Sequence, residues 1–430
     1  LFRSILLTAA HFKVYALFFP GVHFLFLCSL LYMIFNFLSE EGFFMEHSLA
    51  TELTRQLIQI ESTDPGTYEL TIKDWICSWL ISALHADVRL YQDEVLPNRF
   101  NLMAELPGTD PGLPALVWIC HMDTVVVGNG WTVPPFSALE RDGKIYGRGA
   151  CDMKSGLACC LSAFSYAAQK SISTPPRRTL KLICTVDEED FMRGSERCIQ
   201  SGWVTKEDWI LDAEPTNGQI QVAHKGRTWY EITVTGHTAH ASTPWKGADA
   251  VAAMAEIIHE IRTAIQNAPT HPDLGQSTVT FGQIEGGYRP YVVPDQCKLW
   301  IDMRLVPPLC TEQTNRIVQQ AIENTQTTVP GIHASYKITG NRPYVEKDEH
   351  SPLLRHLHKI CCRTTGVETI VSCFPGYTDT AVIAGTLHNT NCMSYGPGNL
   401  ECAHQPDEWV AIKDILRCET VYKRLADLIF

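Results

Sequence analysis

Five places in the sequence carry groups that could bind a cation or move a proton. WICHMDTV ends an apolar run on His121, Met122 and Asp123, and GRGACDMKSG sets Asp152 in a glycine-rich turn. TVDEEDFMRG follows another apolar run with four consecutive acids, Asp187 to Asp190. WILDAEPTNG offers Asp212 and Glu214, and GPGNLECAHQPDEWV offers His404 in a loop of glycine and proline. Each has a plain explanation when taken singly: Asp152 as a helix N-cap, the acid run as a solvated face. Together they supply two imidazoles and at least three carboxylates from separate segments. Mixed nitrogen and oxygen donors suit zinc, cobalt or manganese, and an excess of carboxylates suits a pair of cations. Residues two apart on a strand share a face, so the Asp123 carboxylate can accept a ring N–H from His121 and fix its tautomer. Four acids at the end of a core strand repel one another unless cations are close. Of Glu188 and Glu189, one can bind metal while the other acts as base.

Such groups need elements that bring them together. Residues 115–120 and 179–186 read as short buried strands, and residues 153–169 between them as a helix. Strand, helix, strand predicts a parallel α/β sheet, in which active sites lie at the carboxyl ends of the strands. His121 and the acid run fall at such ends. Residues 71–84 read as a further helix. The middle of the chain differs: 228–236, 277–287 and 297–307 alternate like one-faced strands, and 247–265 and 311–324 read as helices. This predicts an α+β unit at 223–335, inserted between catalytic segments 45–222 and 336–430. Helix and strand patterns return at 351–366 and 368–373.

The 430 residues suit about two domains. A net charge of -12 argues against a nucleic-acid surface. The 16 cysteines are scattered without a C-x-x-C, as buried thiols of a reducing cytoplasm would be. Cys120 and Cys151 each precede a candidate ligand and read as small core residues rather than nucleophiles. Residues 14–38 carry no charge and are long enough to span a bilayer, with Arg3 and Lys13 before them and Glu40 and Glu41 after. Met45, however, opens what reads as a self-contained domain, with Leu49, Leu53, Leu57 and Ile60 spaced along one helical face. Residues 1–44 are therefore expected to be a non-native extension, with a membrane anchor as the alternative.

The motifs CHMDTV, GRGACDMKSGLA, TVDEE, DAEPTNG, VTGHTAHASTPWKGADAV and GPGNLECAHQPDEWV occur in that order after Met45. They resemble those of the co-catalytic zinc amidohydrolases and peptidases of the M20 group, which includes acetylornithine deacetylase, succinyl-diaminopimelate desuccinylase and glutamate carboxypeptidase. The resemblance implies an α/β zinc-peptidase-like catalytic domain with a mainly parallel sheet, plus an inserted ferredoxin-like dimerisation or lid domain. It implies two divalent metals, zinc first, cobalt or manganese otherwise. Asp152 would bridge them, His121 and Glu214 would hold one, and Glu189 and His404 the other, with Asp212 the fallback for Glu214. Asp123 would orient His121, and Glu188 would be the general base for the attacking water. His240, in GHTAHAS, matches a histidine that such homodimers lend across the interface to the oxyanion; an ordinary loop residue is the alternative, and His237 is expected to be structural. Arg304 matches an arginine that meets a substrate carboxylate, unless it makes an ion pair on the small sheet. Thr378 in GYTDTA is expected to line the pocket, and Asp379 fits the pattern. Tyr291 stands where the group usually has asparagine, so a reshaped pocket is expected. The implied activity is cleavage of the amide of a small N-acyl amino acid or of a short peptide. A membrane-tethered dipeptidase or carboxypeptidase and a catalytically silent binding protein are the alternatives, and an intact ligand set beside Glu188 speaks against silence.

Overall fold

Leu116–His121 and Leu180–Thr185 run parallel at the centre of an eight-stranded sheet. The computed structural model describes residues 48–84 and 87–430. Leu116, Trp118 and Cys120 enter one apolar cluster, whereas Val117 and Ile119 enter another on the opposite face. Side chains alternate along a strand, so a strand covered on both faces must be apolar throughout. Helices Lys154–Ser171 and Ile412–Ala426 pack together over the Trp118 face, where the Trp118 and Tyr422 rings meet edge-on at 5.3 Å. Helices Arg193–Gln200 and Asp379–Leu387 supply apolar cover on the other face, through Cys198, Ile383 and Ala384.

Four neighbouring strands are parallel: Cys392–Ser394, Trp209–Asp212, Leu116–His121 and Leu180–Thr185. Antiparallel pairings flank them: Ile220–His224 runs antiparallel to Cys392–Ser394 on one side and carries Val371–Phe374 parallel beyond it, and the hairpin Arg89–Leu96/Arg99–Leu106 lies on the other. The edge strand of that hairpin is half polar and has no buried residue, as suits an edge that avoids further pairing.

A second sheet is antiparallel, in the order Thr278–Gly286, Gln296–Leu305, Gly226–Thr235, His333–Arg342. Tyr230, Ile232, Leu299 and Ile301 share an apolar cluster with Met254, Ile257 and Ile261 of helix Ala250–Gln266 and Val318 of helix Thr311–Thr328. The Asp249 carboxylate caps the first of these helices by accepting from the Val251 and Ala252 N–H groups, both at 2.9 Å. The element order is βαββαβ, a ferredoxin-like unit. Its last strand runs past the boundary expected at residue 335.

Both parts of the expected fold class are present, and the helices expected at 71–84, 153–169, 247–265 and 351–366 lie within a few residues of those positions. The helix read at 311–324 continues to Thr328. In helix Leu49–Ile58, Leu53 and Leu57 are buried, but Leu49 is 42% exposed and Ile60 lies beyond the helix end. The apolar stretch 14–38 and the boundary at Met45 lie outside the described residues. Among the described residues no helix is long and apolar enough to cross a membrane.

Candidate metal centre

The strand ends and two loops deliver the polar groups to one place. His121 closes its strand, Glu188 and Glu189 follow Leu180–Thr185, and Glu214 lies two residues beyond Trp209–Asp212. Asp152 precedes helix Lys154–Ser171, and His404 follows the short turn Leu400–Cys402. Close packing at Ala213 fixes the approach to Glu214. A Cβ on Gly156 would stand 2.2 Å, and one on Gly396 2.1 Å, from the Ala213 carbonyl oxygen. Only glycine permits that approach.

Asp152 stands between the two imidazoles. Its Oδ1 is 3.1 Å from His121 Nε2, and its Oδ2 is 3.3 Å from His404 Nε2. Glu214 Oε1 lies 3.7 Å from His121 Nε2, and Glu189 Oε2 lies 3.0 Å from His404 Nε2. Donor atoms of His121, Asp152 and Glu189 lie within 4.8 Å of one another, as do those of His121, Glu188 and Glu214. The outer acids of the run go elsewhere. Asp187 is gripped by Arg193 at 2.5 and 2.6 Å and faces Arg99 at 3.4 Å, while Asp190 is exposed. Asp212 is not part of the cluster; it accepts from the Thr380 hydroxyl at 2.6 Å.

One expectation needs correction. The Nδ1 of His121 is hydrogen-bonded to the main-chain oxygen of Asp123 at 2.9 Å, and the Asp123 carboxylate lies 3.8 Å away. The strand ends at His121, so the two-residue alternation does not carry to position 123. Either oxygen leaves Nε2 free to face the other ligands. Asp123 Oδ2 instead accepts from the Glu189 N–H at 3.0 Å and so ties the two loops together.

The electrostatics follow from burial. Desolvation pushes the carboxyls of Glu188 and Glu214 well above the usual range, with neighbouring acids adding to it, and raises Glu189 as well. Burial also opposes ionisation of Asp152, but hydrogen bonds from His121 and His404 outweigh it and hold that carboxyl well below its ordinary value. Asp152 and Glu189 raise His404 to about 10. If all four carboxyls (Asp152, Glu188, Glu189, Glu214) were ionised, two protonated imidazoles would still leave two negative charges unmatched, and the raised values of the three glutamates reflect that missing counter-charge. Buried anions need counter-charge, and this donor set of nitrogen and carboxylate oxygen fits a pair of divalent cations.

A cavity of about 360 Å³ opens over the cluster, lined also by Arg227, Arg304 and Thr378. Thr378 caps helix Asp379–Leu387, and its hydroxyl is shared with that of Thr380 at 2.9 Å. Arg304 is held by Asp302 in a two-pronged ion pair of 2.8 and 3.0 Å, the structural alternative read from the sequence, yet still borders the cavity. His240 is exposed, hydrogen-bonds Ser242 at 2.8 Å, and is not among the residues lining this cavity. His237 pairs with Ala248 through main-chain bonds. Tyr291 is 60% exposed, and its main-chain oxygen accepts from Ala241 beside His240. Cys120 and Cys151 are buried and their thiols are pushed well up by desolvation, so neither is a ready nucleophile.

Glu408 is not among the residues expected from the sequence. Buried beside the centre, it accepts from the N–H groups of Cys151 at 2.8 Å and Asp152 at 3.1 Å and pairs with Arg148 at 2.5 Å. An acid four residues after His404 in the same loop was the available signal. Asp379 accepts from Thr185 at 2.5 Å and from Ser195, and burial lifts it to about 6.

Imidazoles and carboxylates converged in this way at strand ends and loops make a cluster that could hold metal ions. A family model described as peptidase family M20/M25/M40 matches residues 117–428. The chain belongs to that family and is an enzyme of the metal-dependent amidohydrolase and peptidase class, acting on linear amide or peptide bonds. A probable succinyl-diaminopimelate desuccinylase of Staphylococcus aureus strain MRSA252 is 28% identical over 378 residues, spanning 81% of this chain and 91% of that protein. Acetylornithine deacetylase of Photorhabdus laumondii is 29% identical over 387 residues, 87% of this chain and 96% of that one. In fold, the chain is similar to aminopeptidase PepT from Bacillus cereus, with a TM-score of 0.73 at 22% identity over 89% of this chain and 98% of that one. It is also similar to a dinuclear metal binding peptidase of the M20 family from Bacillus subtilis, with a TM-score of 0.66 at 18% identity over 88% and 97%.

Proposed function

We propose that the protein is a di-metal hydrolase that cleaves the amide bond of a small N-acyl amino acid or a short peptide. The observation that carries this reading is Asp152, whose two oxygens face two imidazoles from opposite ends of the chain. In this reading His121 and Glu214 would hold one cation, Glu189 and His404 the other, and Asp152 both. Zinc is the first choice, with cobalt or manganese as substitutes. Bound cations would supply Lewis acidity and a lowered pKa for water. Glu188 takes a proton from the attacking water and gives it to the leaving nitrogen as the carbonyl carbon–nitrogen bond breaks, so that the products are a carboxylate and an amine. Its burial and raised pKa suit a group that must both accept and return a proton. The curated relatives named as desuccinylase and deacetylase support an acyl-amino-acid substrate.

The ferredoxin-like unit is assigned to dimerisation and to covering the site, with residues 223–335 inserted between catalytic segments 45–222 and 336–430. Exposed Trp245, Tyr288 and Tyr291 near His240 support a homodimer contact on this face. His240 would then reach the oxyanion in the partner's site. The free thiols among the described residues support a cytoplasmic location.

The test is Glu188→Gln in metal-reconstituted protein, assayed on N-acetyl, N-succinyl, N-carbamoyl and dipeptide substrates. Metal content should match wild type while turnover falls by about 10²- to 10⁴-fold. Undiminished turnover removes Glu188 from the reaction, and no hydrolysis of any substrate by wild type rejects the activity.

A further inference from the structure

Helix Pro352–Thr365 ends beside a group of donors that the centre at Asp152 does not use. His358 and Cys362 stand four residues apart and so share one face of the helix. Gly366, in the left-handed region at φ 74°, reverses the chain there, and its N–H donates to the Cys362 carbonyl at 2.9 Å. The turn returns Glu368 and Thr369 to the same two side chains. Glu368 Oε1 lies 3.0 Å from His358 Nε2, and its Oε2 lies 3.7 Å from Cys362 Sγ. Sγ is 3.8 Å from Nε2 and 3.9 Å from Nδ1 of the ring. One donor atom from each of the three residues lies within 4.8 Å of the other two.

The separations are close to those that a shared cation would impose. Zinc binds imidazole nitrogen and carboxylate oxygen at about 2.0–2.2 Å and thiolate sulfur at about 2.3 Å. Tetrahedral angles then put sulfur about 3.6 Å from nitrogen or oxygen, and nitrogen about 3.3 Å from oxygen. Here the edges are 3.8, 3.7 and 3.0 Å. Sγ is almost equidistant from both ring nitrogens, so a turn of the imidazole about its Cβ–Cγ bond, a soft torsion, aims one nitrogen at the common point. That turn exchanges the contact of Nε2 with the Thr369 carbonyl oxygen, at 3.2 Å, for the ion. A simple ion pair of His358 with Glu368 is the plain alternative. Glu368 is 83% exposed, and exposed pairs contribute little. Such a pair also leaves the thiol without a part.

We propose that His358, Cys362 and Glu368 form a third divalent-metal site, which takes zinc or cobalt through thiolate, imidazole and carboxylate, with water as the fourth ligand. The thiol releases its proton to solvent as the metal binds. The ion ties the end of the helix to the turn 366–369, which leads into strand Val371–Phe374. Phe374, at the far end of that strand, borders the cavity over the centre. None of the three residues belongs to the centre, so the site stands independently of the amide-hydrolase reading.

Cobalt titration of the metal-stripped full chain separates the two kinds of site, because only a thiolate ligand gives a sulfur-to-cobalt charge-transfer band in the near ultraviolet. Wild type should take up three equivalents, and the band should follow one of them. Cys362→Ser should abolish the band and keep the other two equivalents. His358→Ala should weaken the thiolate-bound equivalent by more than about 100-fold, beyond what loss of a supporting group gives, and Glu368→Gln should weaken it less. None of the three residues is buried, so the variants' thermal midpoints without metal should lie within about 1 °C of wild type. A second readout needs no variant: zinc beyond the first two equivalents should protect Cys362 of wild type from alkylation by iodoacetamide, measured on its own peptide. If a variant melts lower, this measurement decides alone. No thiolate band, a band that survives Cys362→Ser, or alkylation of Cys362 indifferent to zinc overturns the proposal. If the band appears but the other two equivalents do not, this site stands and the paired centre fails.

Discussion

Replacing Glu408 by glutamine tests how the centre is held from behind. Glu408 and Arg148 are 1% and 2% exposed, and the carboxylate also accepts the N–H groups of Cys151 and Asp152. Glutamine keeps the shape but exchanges one acceptor oxygen for a donor. If the amide oxygen faces the two N–H groups, its nitrogen meets the Arg148 guanidinium; if it turns, its nitrogen meets the N–H groups. Either way donors face donors, and Arg148 keeps a buried charge without a counter-ion. Removing one member of such a pair costs about 3–5 kcal/mol. For a chain with domains of this size that lowers the thermal midpoint by on the order of 10 °C. Because the same carboxylate fixes the main chain at Asp152, metal affinity should also fall by about 10- to 100-fold. Thermal unfolding of metal-stripped protein reads the first effect, and competition with a chelator reads the second. A midpoint within about 1 °C of wild type, with metal affinity unchanged, would refute the claim that Glu408 positions the centre, since a change that small is what a surface substitution gives.

Two further outcomes follow from the charge balance and from the exposed loop. In the folded metal-stripped protein Glu188, Glu189 and Glu214 are raised above about 4.5 by burial, and His404 is raised to about 10 by Asp152 and Glu189. At these groups the folded state keeps protons that the unfolded chain releases, so the stability they contribute is present at mildly acid pH and is lost as pH rises from about 5 to about 10, while His224 and Lys154, lowered by burial to about 4 and about 7, contribute with the opposite sign. Asp152, held low, opposes this only in strong acid. Midpoints measured across that range with and without zinc should diverge as pH rises, and a difference that stays constant with pH would contradict the charge assignment. His240→Ala should change stability by no more than about 0.5 kcal/mol, because the residue is exposed, while turnover falls sharply. Mixing His240→Ala with Glu188→Gln protein should restore part of the activity if the histidine acts across subunits, and no recovery in mixed dimers would sink that role.

The central strands were legible because they are apolar on both faces, and the ferredoxin-like helices because their apolar stripe is regular. The edge strand Arg89–Leu96 and the strand His333–Arg342 were not, since each shows much polar surface and breaks the period-two pattern. His121, Glu189 and Glu214 stood out as polar groups just where apolar strands end, and Asp152 and His404 as polar groups in glycine-rich loops. What the ring of His121 touches was misjudged because the strand stops there, and the geometry of a loop cannot be read from alternation. Glu408 was invisible for a different reason. It acts on Cys151, 257 residues away in the chain. Its meaning lies in pairing, which no local window contains.

The central claim is a paired cation site. Crystals of zinc-reconstituted protein, measured at the zinc absorption edge, test it most directly. Two anomalous peaks should appear in the centre, one among His121, Asp152 and Glu214 and the other among Asp152, Glu189 and His404. A single peak away from Asp152, or zinc bound only at surface groups such as His358, Cys362 and Glu368, would contradict the account.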